Sequence, residues 1–297
     1  MDNRRGILLM LLAMLMFSME DALIKVLSRD WSTAQVLLVI GIGGGAILVL
    51  LARRTGQPIL HRDNLHWAVV TRSLAEAVAT LLFVTALATA PLGMTSAIIQ
   101  AAPLALVAGS AILLGEPVGW RRWTAVSVGF AGVLLIVRPW GGEFDPALLL
   151  AVAATAALAT RDLVTRRVPA GVGTFALSSW AYAGVVLAAC VSFAQNPRLE
   201  PLAFGDLPAV AALLMLSTVG YYAVTAAMRV GEVSAVAPFR YTRLVFAAVL
   251  GFLIFDEVPD AMSLLGAALI IGSGIYAMIR EGRAARRPVA SAVRVSR

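Results

Sequence analysis

Apolar residues fall into ten long runs along this chain, separated by short polar or charged connections. A helix needs about 20 mainly apolar residues to cross the hydrocarbon core of a bilayer, so each run predicts one transmembrane helix. The predicted spans are Gly6–Leu27, Thr33–Ala52, His66–Thr89, Leu92–Leu114, Arg121–Val137, Asp145–Leu163, Val172–Phe193, Leu207–Met228, Glu232–Phe255 and Met262–Ile279. The pattern therefore predicts an all-α polytopic membrane protein with ten transmembrane helices.

The second half of the chain repeats the pattern of the first at one fixed offset, which we call the repeat spacing. The matched pairs are Glu116 and Glu257, Asp21 and Asp162, Lys25 and Arg166, and Thr33 and Thr174, and in each pair the second number exceeds the first by 141. We predict two five-helix repeats, residues 1–140 and 141–282, followed by a basic tail, residues 283–297. Because five is an odd number, the second repeat is inverted in the membrane relative to the first. Inverted repeats are typical of transporters, in which the two halves enclose a central cavity.

Basic residues favour one side of the predicted membrane. With the N-terminus inside the cell, 17 of the 24 lysine and arginine residues lie on the cytoplasmic side. Positively charged connections tend to stay cytoplasmic. The predicted location is the inner (plasma) membrane, with both termini in the cytoplasm.

Composition supports lipid as the surroundings and excludes several other classes. The chain is 60% hydrophobic and 14% charged, against about 45–50% and 25% in soluble domains. The net charge of +7 comes from basic residues between apolar runs, so we predict no nucleic-acid binding. One cysteine, Cys190, cannot form an intramolecular disulfide. His61 and His66 have no ligand cluster around them, so neither a metal nor another cofactor is predicted.

Charged residues within the predicted spans are candidates for function, because a charge at membrane depth is costly. Arg72, Glu76, Thr80 and Phe83 share one helix face by their spacing. Glu76 and Arg243 lie at similar predicted depth and are expected to pair. That pair has two interpretations, a substrate or proton site and a fixed ion pair that holds two helices together.

The matched acids of the first and sixth spans have a simpler interpretation. Asp21 and Asp162 each precede a basic residue by four positions, which is the spacing of a helix surface pair. We expect these pairs to snorkel towards the membrane surface.

Aromatic and hydrogen-bonding residues within the spans are candidates for substrate contact. The set comprises Trp180, Tyr182, Tyr221, Tyr222 and Tyr241 in the second half, with Gln100 near the middle of the fourth span. Such a set supplies ring contacts and polar anchors for a small organic molecule. The alternatives are an interfacial aromatic belt for the rings and hydrogen bonding between helices for Gln100.

Prolines and glycines complete the candidate features. Pro103 and Pro238 lie within equivalent spans of the two repeats and are hinge candidates, although a static kink is the alternative. Several glycines are expected to allow close helix packing. These are Gly41, Gly43, Gly44, Gly45, Gly129, Gly132, Gly272 and Gly274.

Two stretches carry a family resemblance that covers nearly the whole chain. LGEPVGWRRW with the helix leading to VRP, and APFRYTRLVFAAVLGFLIFDEVP with its GSGIY helix, resemble the two EamA-type halves of the drug/metabolite transporter superfamily. Within it, the layout is most similar to the YddG-type exporters of aromatic and other neutral amino acids. The resemblance implies a central cavity lined mainly by helices 1, 3, 4, 6, 8 and 9. It also implies that Glu116 and Glu257, at the ends of helices 4 and 9, are structural corner residues.

The expected function is secondary transport, in which small organic metabolites, and most of all aromatic and neutral amino acids, are exported by alternating access. The sequence contains no phosphate-binding loop of the kind that ATP-driven proteins use. We therefore expect a gradient to supply the energy, and Glu76 is the candidate residue for proton transfer. Transport of a vitamin, cofactor precursor or nucleotide sugar, in either direction, is the alternative. An intramembrane enzyme is the remote alternative, because no nucleophile and base are arranged for it. The predicted partners are a metabolite and the lipid bilayer, and the sequence leaves the oligomeric state open.

Overall fold

The computed structural model describes residues 2–116, 118–140, 144–169, 171–230 and 233–285, and within them the only regular secondary structure is helical. The α-helices are α1 (Asn3–Leu27), α2 (Thr33–Leu38), α3 (Gly45–Arg54), α4 (Trp67–Thr89), α5 (Leu92–Ile99), α6 (Ala102–Leu114), α7 (Trp120–Val137), α8 (Ala147–Thr165), α9 (Thr174–Gln195), α10 (Leu207–Val230), α11 (Val233–Val236), α12 (Thr242–Phe255) and α13 (Ala261–Ala285). Ten candidate membrane spans are formed from these described helices. The predicted all-α polytopic fold is confirmed.

Three of the spans are interrupted. A π-helical segment, Val39–Gly44, joins α2 to α3, and it contains most of the first glycine cluster. The fourth span breaks between α5 and α6, and a 3-10 segment, Ala237–Tyr241, joins α11 to α12 in the ninth span. Pro103 and Pro238 each lie in the first turn that follows such a break. A proline fits there because its missing N–H has no helical partner in a first turn. The role of the two prolines as hinges stays a prediction.

The helix boundaries follow the repeat spacing. Matched starts are Thr33 and Thr174, Leu92 and Val233, and Trp120 and Ala261, and matched ends are Leu114 and Phe255. The predicted start of the ninth span at Glu232 and the tail from residue 286 lie outside the described residues. Helices of the two halves pack against each other in equivalent combinations, α1 with α10 and α4 with α8, while α7 packs along α13.

Glycines allow several of these close approaches. A Cβ atom at Gly41 would meet Val186, and one at Gly44 would meet Tyr182, so the first glycine cluster fits against α9. A Cβ atom at Gly274 would overlap the Tyr241 hydroxyl group. The expectation for Gly272 is wrong, because no heavy atom lies within 4 Å of the position that its Cβ would take.

Gly132 provides a test of this packing. A Cβ atom at Gly132 would lie 2.6 Å from the carbonyl oxygen of Gly266 on α13, and backbone cannot move as a side chain does. We expect Gly132→Ala to lower the free energy of unfolding by about 1–3 kcal/mol, measured by thermal unfolding in detergent. The control is Gly272→Ala on the same helix pair, where higher helix propensity predicts equal or slightly greater stability. Equal losses in both variants would contradict the packing argument.

Contacts between distant segments define two faces of the protein. At the N-terminal face, the backbone N–H of Asp2 donates to the carbonyl of Val230 over 3.0 Å. At the opposite face, the Ser32 hydroxyl donates to the carbonyl of Arg198 over 2.7 Å. The N-terminal face also contains the α6–α7 corner and the end of α8. The opposite face contains the α4–α5 and α12–α13 corners.

Candidate functional site

A cavity of about 850 Å³ lies between the two halves of the protein. Residues of α1, α4, α6, α8, α9, α10, α12 and α13 line it. On α1 the lining ends at Ile24, towards the opposite face, and beyond α6 it includes Glu116 at the N-terminal face. The cavity therefore reaches from the middle of the protein to the N-terminal face.

Most of the predicted site residues line this cavity. They are Glu76, Thr80, Phe83, Gln100, Tyr182, Tyr221, Tyr241 and Arg243, together with the hinge candidate Pro103. Three others do not belong to the lining. Trp180 donates its ring N–H to the carbonyl of Ile59 over 3.0 Å, and Tyr222 is 70% exposed on the outside of the protein. Pro238 is the second residue of the 3-10 segment. Tyr221 lines the cavity, and its neighbour Tyr222, about 100° further round the helix, lies on the outside.

Arg243 pairs with Asp21, and the expected pair with Glu76 is wrong. The Arg243 guanidinium donates from Nη2 and Nε to the Asp21 carboxylate over 2.7 and 3.1 Å. Asp21 is only 2% exposed. Phe17 and Phe83 lie against the same guanidinium, with ring centroids 5.4 and 5.8 Å away. The pair joins α1 to α12 at the closed end of the cavity.

Glu76 pairs instead with Arg161 on α8. Arg161 Nη1 lies 3.1 and 3.2 Å from the two oxygens of Glu76, and its Nε donates to Asp162 over 2.8 Å. Arg161 is one of the 17 basic residues assigned above to the cytoplasmic side, and the structure places it inside α8 and in the cavity lining. The sequence did contain a signal for this position. Asp162 matches Asp21 at the repeat spacing, which implies that α8 presents charged side chains to the cavity as α1 does.

Arg240 has no such partner. Its side chain is exposed in the cavity lining, and in the described part of the chain it forms neither a hydrogen bond nor an ion pair. The backbone carbonyl of Arg240 accepts from Gln100 Nε2 over 2.8 Å, which ties the break of one half to the break of the other. The lining has six guanidinium groups and five carboxylates, so it carries an excess of positive charge.

The cavity is closed towards the opposite face by Lys25 and Glu257. Lys25 Nζ lies 2.9 Å from Glu257 Oε1 and also donates to the carbonyl of Ala90. Glu257 Oε2 accepts from the backbone N–H of Leu92 over 2.7 Å. The expected pairing of Asp21 with Lys25 and of Asp162 with Arg166 is therefore wrong. Asp21, Lys25 and Arg166 pair with residues of other helices or corners, and Asp162 pairs with Arg161, its neighbour on α8. Arg166 pairs with Glu116 at the N-terminal face over 3.1 Å.

The carboxylates of the cavity do not form a metal site. No group of three or more histidine, cysteine, aspartate or glutamate side chains among the described residues is placed to hold a metal ion.

Two interlocked helical halves around a charged central cavity define a polytopic membrane transporter. The pattern of the EamA-like transporter family matches residues 4–138 and again residues 145–279. The chain belongs to this family. It is a small-molecule transporter of the drug/metabolite transporter superfamily and not an enzyme.

Relatives of this chain are transporters with different named substrates. A "Riboflavin transporter" of Rhizobium johnstonii is 26% identical over 95% of this chain and 94% of its own length. An "S-adenosylmethionine uptake transporter" of Rickettsia bellii is 28% identical over 68% and 69%. A "Pseudopaline exporter CntI" of Pseudomonas aeruginosa is 26% identical over 90% and 94%. These names do not support the expected YddG-type subtype of amino-acid exporters.

The fold is also similar to that of a solved structure. A protein of known crystal structure superimposes with a TM-score of 0.63 over 94% of this chain and 98% of its own. The sequence identity is 21%, so this similarity concerns the fold alone.

Proposed function

We propose that this protein is a secondary transporter that moves a small organic metabolite with a flat or aromatic body and an anionic group. Transport proceeds by alternating access of the cavity to the two faces. The observation that supports this substrate class is Arg240, a guanidinium exposed in the cavity that forms no hydrogen bond or ion pair with a carboxylate of the described residues. Guanidinium groups bind carboxylates and phosphates through paired hydrogen bonds.

The rest of the lining suits such a molecule. Tyr182 and Tyr221 line the cavity from α9 and α10, and their hydroxyl groups hydrogen-bond to Ser217 and Ser178. A volume of about 850 Å³ lies within the range of about 300–1,000 Å³ in which proteins bind drug-sized ligands. The volume therefore favours a substrate larger than one amino acid. Export of aromatic amino acids is the narrower alternative. The proposed location is the inner membrane, with the N-terminal face towards the cytoplasm.

Flux measurements test the proposal. The purified protein in liposomes is expected to move labelled S-adenosylmethionine or tryptophan, which both carry a carboxylate, down its gradient, faster than protein-free liposomes and with saturation. Labelled riboflavin, which carries no carboxylate, shows whether a flat ring alone is sufficient. Repeating the assay with an imposed pH gradient tests whether protons, for which Glu76 was the predicted site, are coupled. Metabolite profiling of the medium of overproducing cells extends the panel and gives the direction. Protein that moves no metabolite from the panel or the profile would contradict the proposal.

A further inference from the structure

Two ion pairs of this protein are equivalent under the repeat spacing. Lys25 with Glu257 lies at the opposite face, and Arg166 with Glu116 lies at the N-terminal face, with separations of 2.9 and 3.1 Å. The repeat spacing converts Lys25 to Arg166 and Glu116 to Glu257. Each pair therefore joins one repeat to the other. In the first pair the first repeat supplies the basic residue, Lys25, and in the second pair it supplies the acidic residue, Glu116.

The two glutamates are presented by the same backbone structure. The residue before each has a left-handed conformation, with φ of 66° at Gly115 and 54° at Asp256. The N–H of Glu116 donates to the carbonyl of Ser110 over 3.2 Å, and the N–H of Glu257 donates to that of Gly251 over 3.1 Å. In both cases the acceptor lies six residues earlier. Left-handed caps of this kind end a helix and fix the direction of the chain that follows.

The surroundings of the two pairs differ. The side chains of Lys25 and Glu257 are 15% and 19% exposed, whereas those of Arg166 and Glu116 are both 46% exposed. Glu257 also accepts from the N–H of Leu92, the first residue of α5, and a carboxylate at a helix N-terminus is stabilised by the helix dipole. In the described residues Glu116 has no second partner of this kind. The pair of Lys25 and Glu257 lies at the closed end of the cavity, and the pair of Arg166 and Glu116 lies at its open end.

We propose that these pairs are reciprocal gates of the transport cycle, an inference that rests on the alternating access proposed above. When the N-terminal face closes, Glu116 accepts from the N–H of Val233, which begins α11 as Leu92 begins α5. Glu257 then releases Leu92, and the opposite face opens. Because the contact of a glutamate with a helix N–H is lost at one face while its equivalent forms at the other, the two conformations are close in energy, as a carrier requires.

The test measures the thiol-labelling rates of two cysteines introduced at equivalent positions of the repeats. The full-length protein is used, with Cys190 replaced by alanine. Val107, which lines the cavity, and Ala248, whose Cα lies 3.8 Å from the Cβ position of Gly93, occupy equivalent positions in the two repeats. We expect Glu257→Gln to raise the thiol-labelling rate of Ala248→Cys and to lower that of Val107→Cys. Glu116→Gln is expected to do the reverse. Each change should be about fivefold or more, a shift typical of coupling between two conformations.

Asp260→Asn is the control. Arg138 and Asp260 also form an ion pair between the halves at the opposite face, but the repeat spacing gives this pair no equivalent at the N-terminal face. The hydrogen bond from Arg138 holds the pKa of Asp260 well below its usual range, so this acid is charged at neutral pH. The control should leave the ratio of the two labelling rates unchanged. Size-exclusion chromatography checks that each variant is folded.

Labelling needs no substrate, so it separates this inference from the proposed function. Opposite shifts in the two glutamine variants would support the gates even if no substrate were moved. Substrate flux with labelling changes that are absent, or in the same direction for both variants, would overturn the gates and leave the transport proposal standing. A ratio shifted equally by Asp260→Asn would also overturn them.

Discussion

Arg243→Gln is expected to lower the free energy of unfolding by about 3–5 kcal/mol, because it leaves the carboxylate of Asp21 buried without a counter-charge. Asp21 is 2% exposed, and its hydrogen bonds to Arg243 are 2.7–3.1 Å long. The two phenyl rings against Arg243 also lose their cation. Thermal unfolding in detergent measures the loss, and substrate flux should fall with it.

A double variant separates the buried charge from the loss of side-chain packing. Asp21→Asn with Arg243→Gln removes both charges and leaves two amides able to hydrogen-bond, so most of the stability should return. The surface control is Arg198→Gln, because Arg198 is 66% exposed in its pair with Glu200 and such pairs contribute about 0–1 kcal/mol. If the double variant were as unstable as Arg243→Gln, the explanation by an unpaired charge would fail.

Arg240→Gln is expected to weaken binding of an anionic substrate by roughly 30-fold or more, since removing one partner of a buried charge pair costs about 2–5 kcal/mol. Thermal stability without substrate should hardly change, because Arg240 has neither an ion pair nor a side-chain hydrogen bond in the described part of the chain. The measurement is the substrate concentration at half-maximal flux in liposomes, using whichever metabolite the flux assay identifies.

Two matched variants sharpen this result. Arg240→Lys keeps the charge but not the paired donors, so it should retain part of the affinity. Arg122→Gln removes a guanidinium from the mouth of the cavity and should have little effect. Equal losses in Arg122→Gln and Arg240→Gln would indicate a general electrostatic effect of the lining and would contradict a specific anion site.

The lengths and charges of the apolar runs were sufficient to predict the spans, and the structure places the ten candidate spans close to the predicted boundaries. Hydrocarbon thickness sets the length of a span, so this information is local to each run. The candidate residues of α4, Glu76, Thr80 and Phe83, also line the cavity together. Their shared face follows from the helix period and needs no knowledge of the neighbours.

The partners of the charges could not be predicted in this way. Asp21 and Lys25 are correctly spaced for a pair on one helix, yet they bind Arg243 and Glu257 from the other half of the chain. A pair on one helix contributes only about 0.2–0.5 kcal/mol. A buried carboxylate without a cation costs far more, so the inter-helix contact decides the pairing.

The sequence alone determined how many helices cross the membrane and that the second half repeats the first in the opposite direction, because span length and an odd number of spans are properties of the chain itself. The tertiary structure decided which arginine meets which carboxylate, which of Tyr221 and Tyr222 lines the cavity, and that Arg240 lines it without an ion pair among the described residues. Those outcomes depend on how each helix is rotated against its neighbours, and the packing of residues more than 200 positions apart sets that rotation.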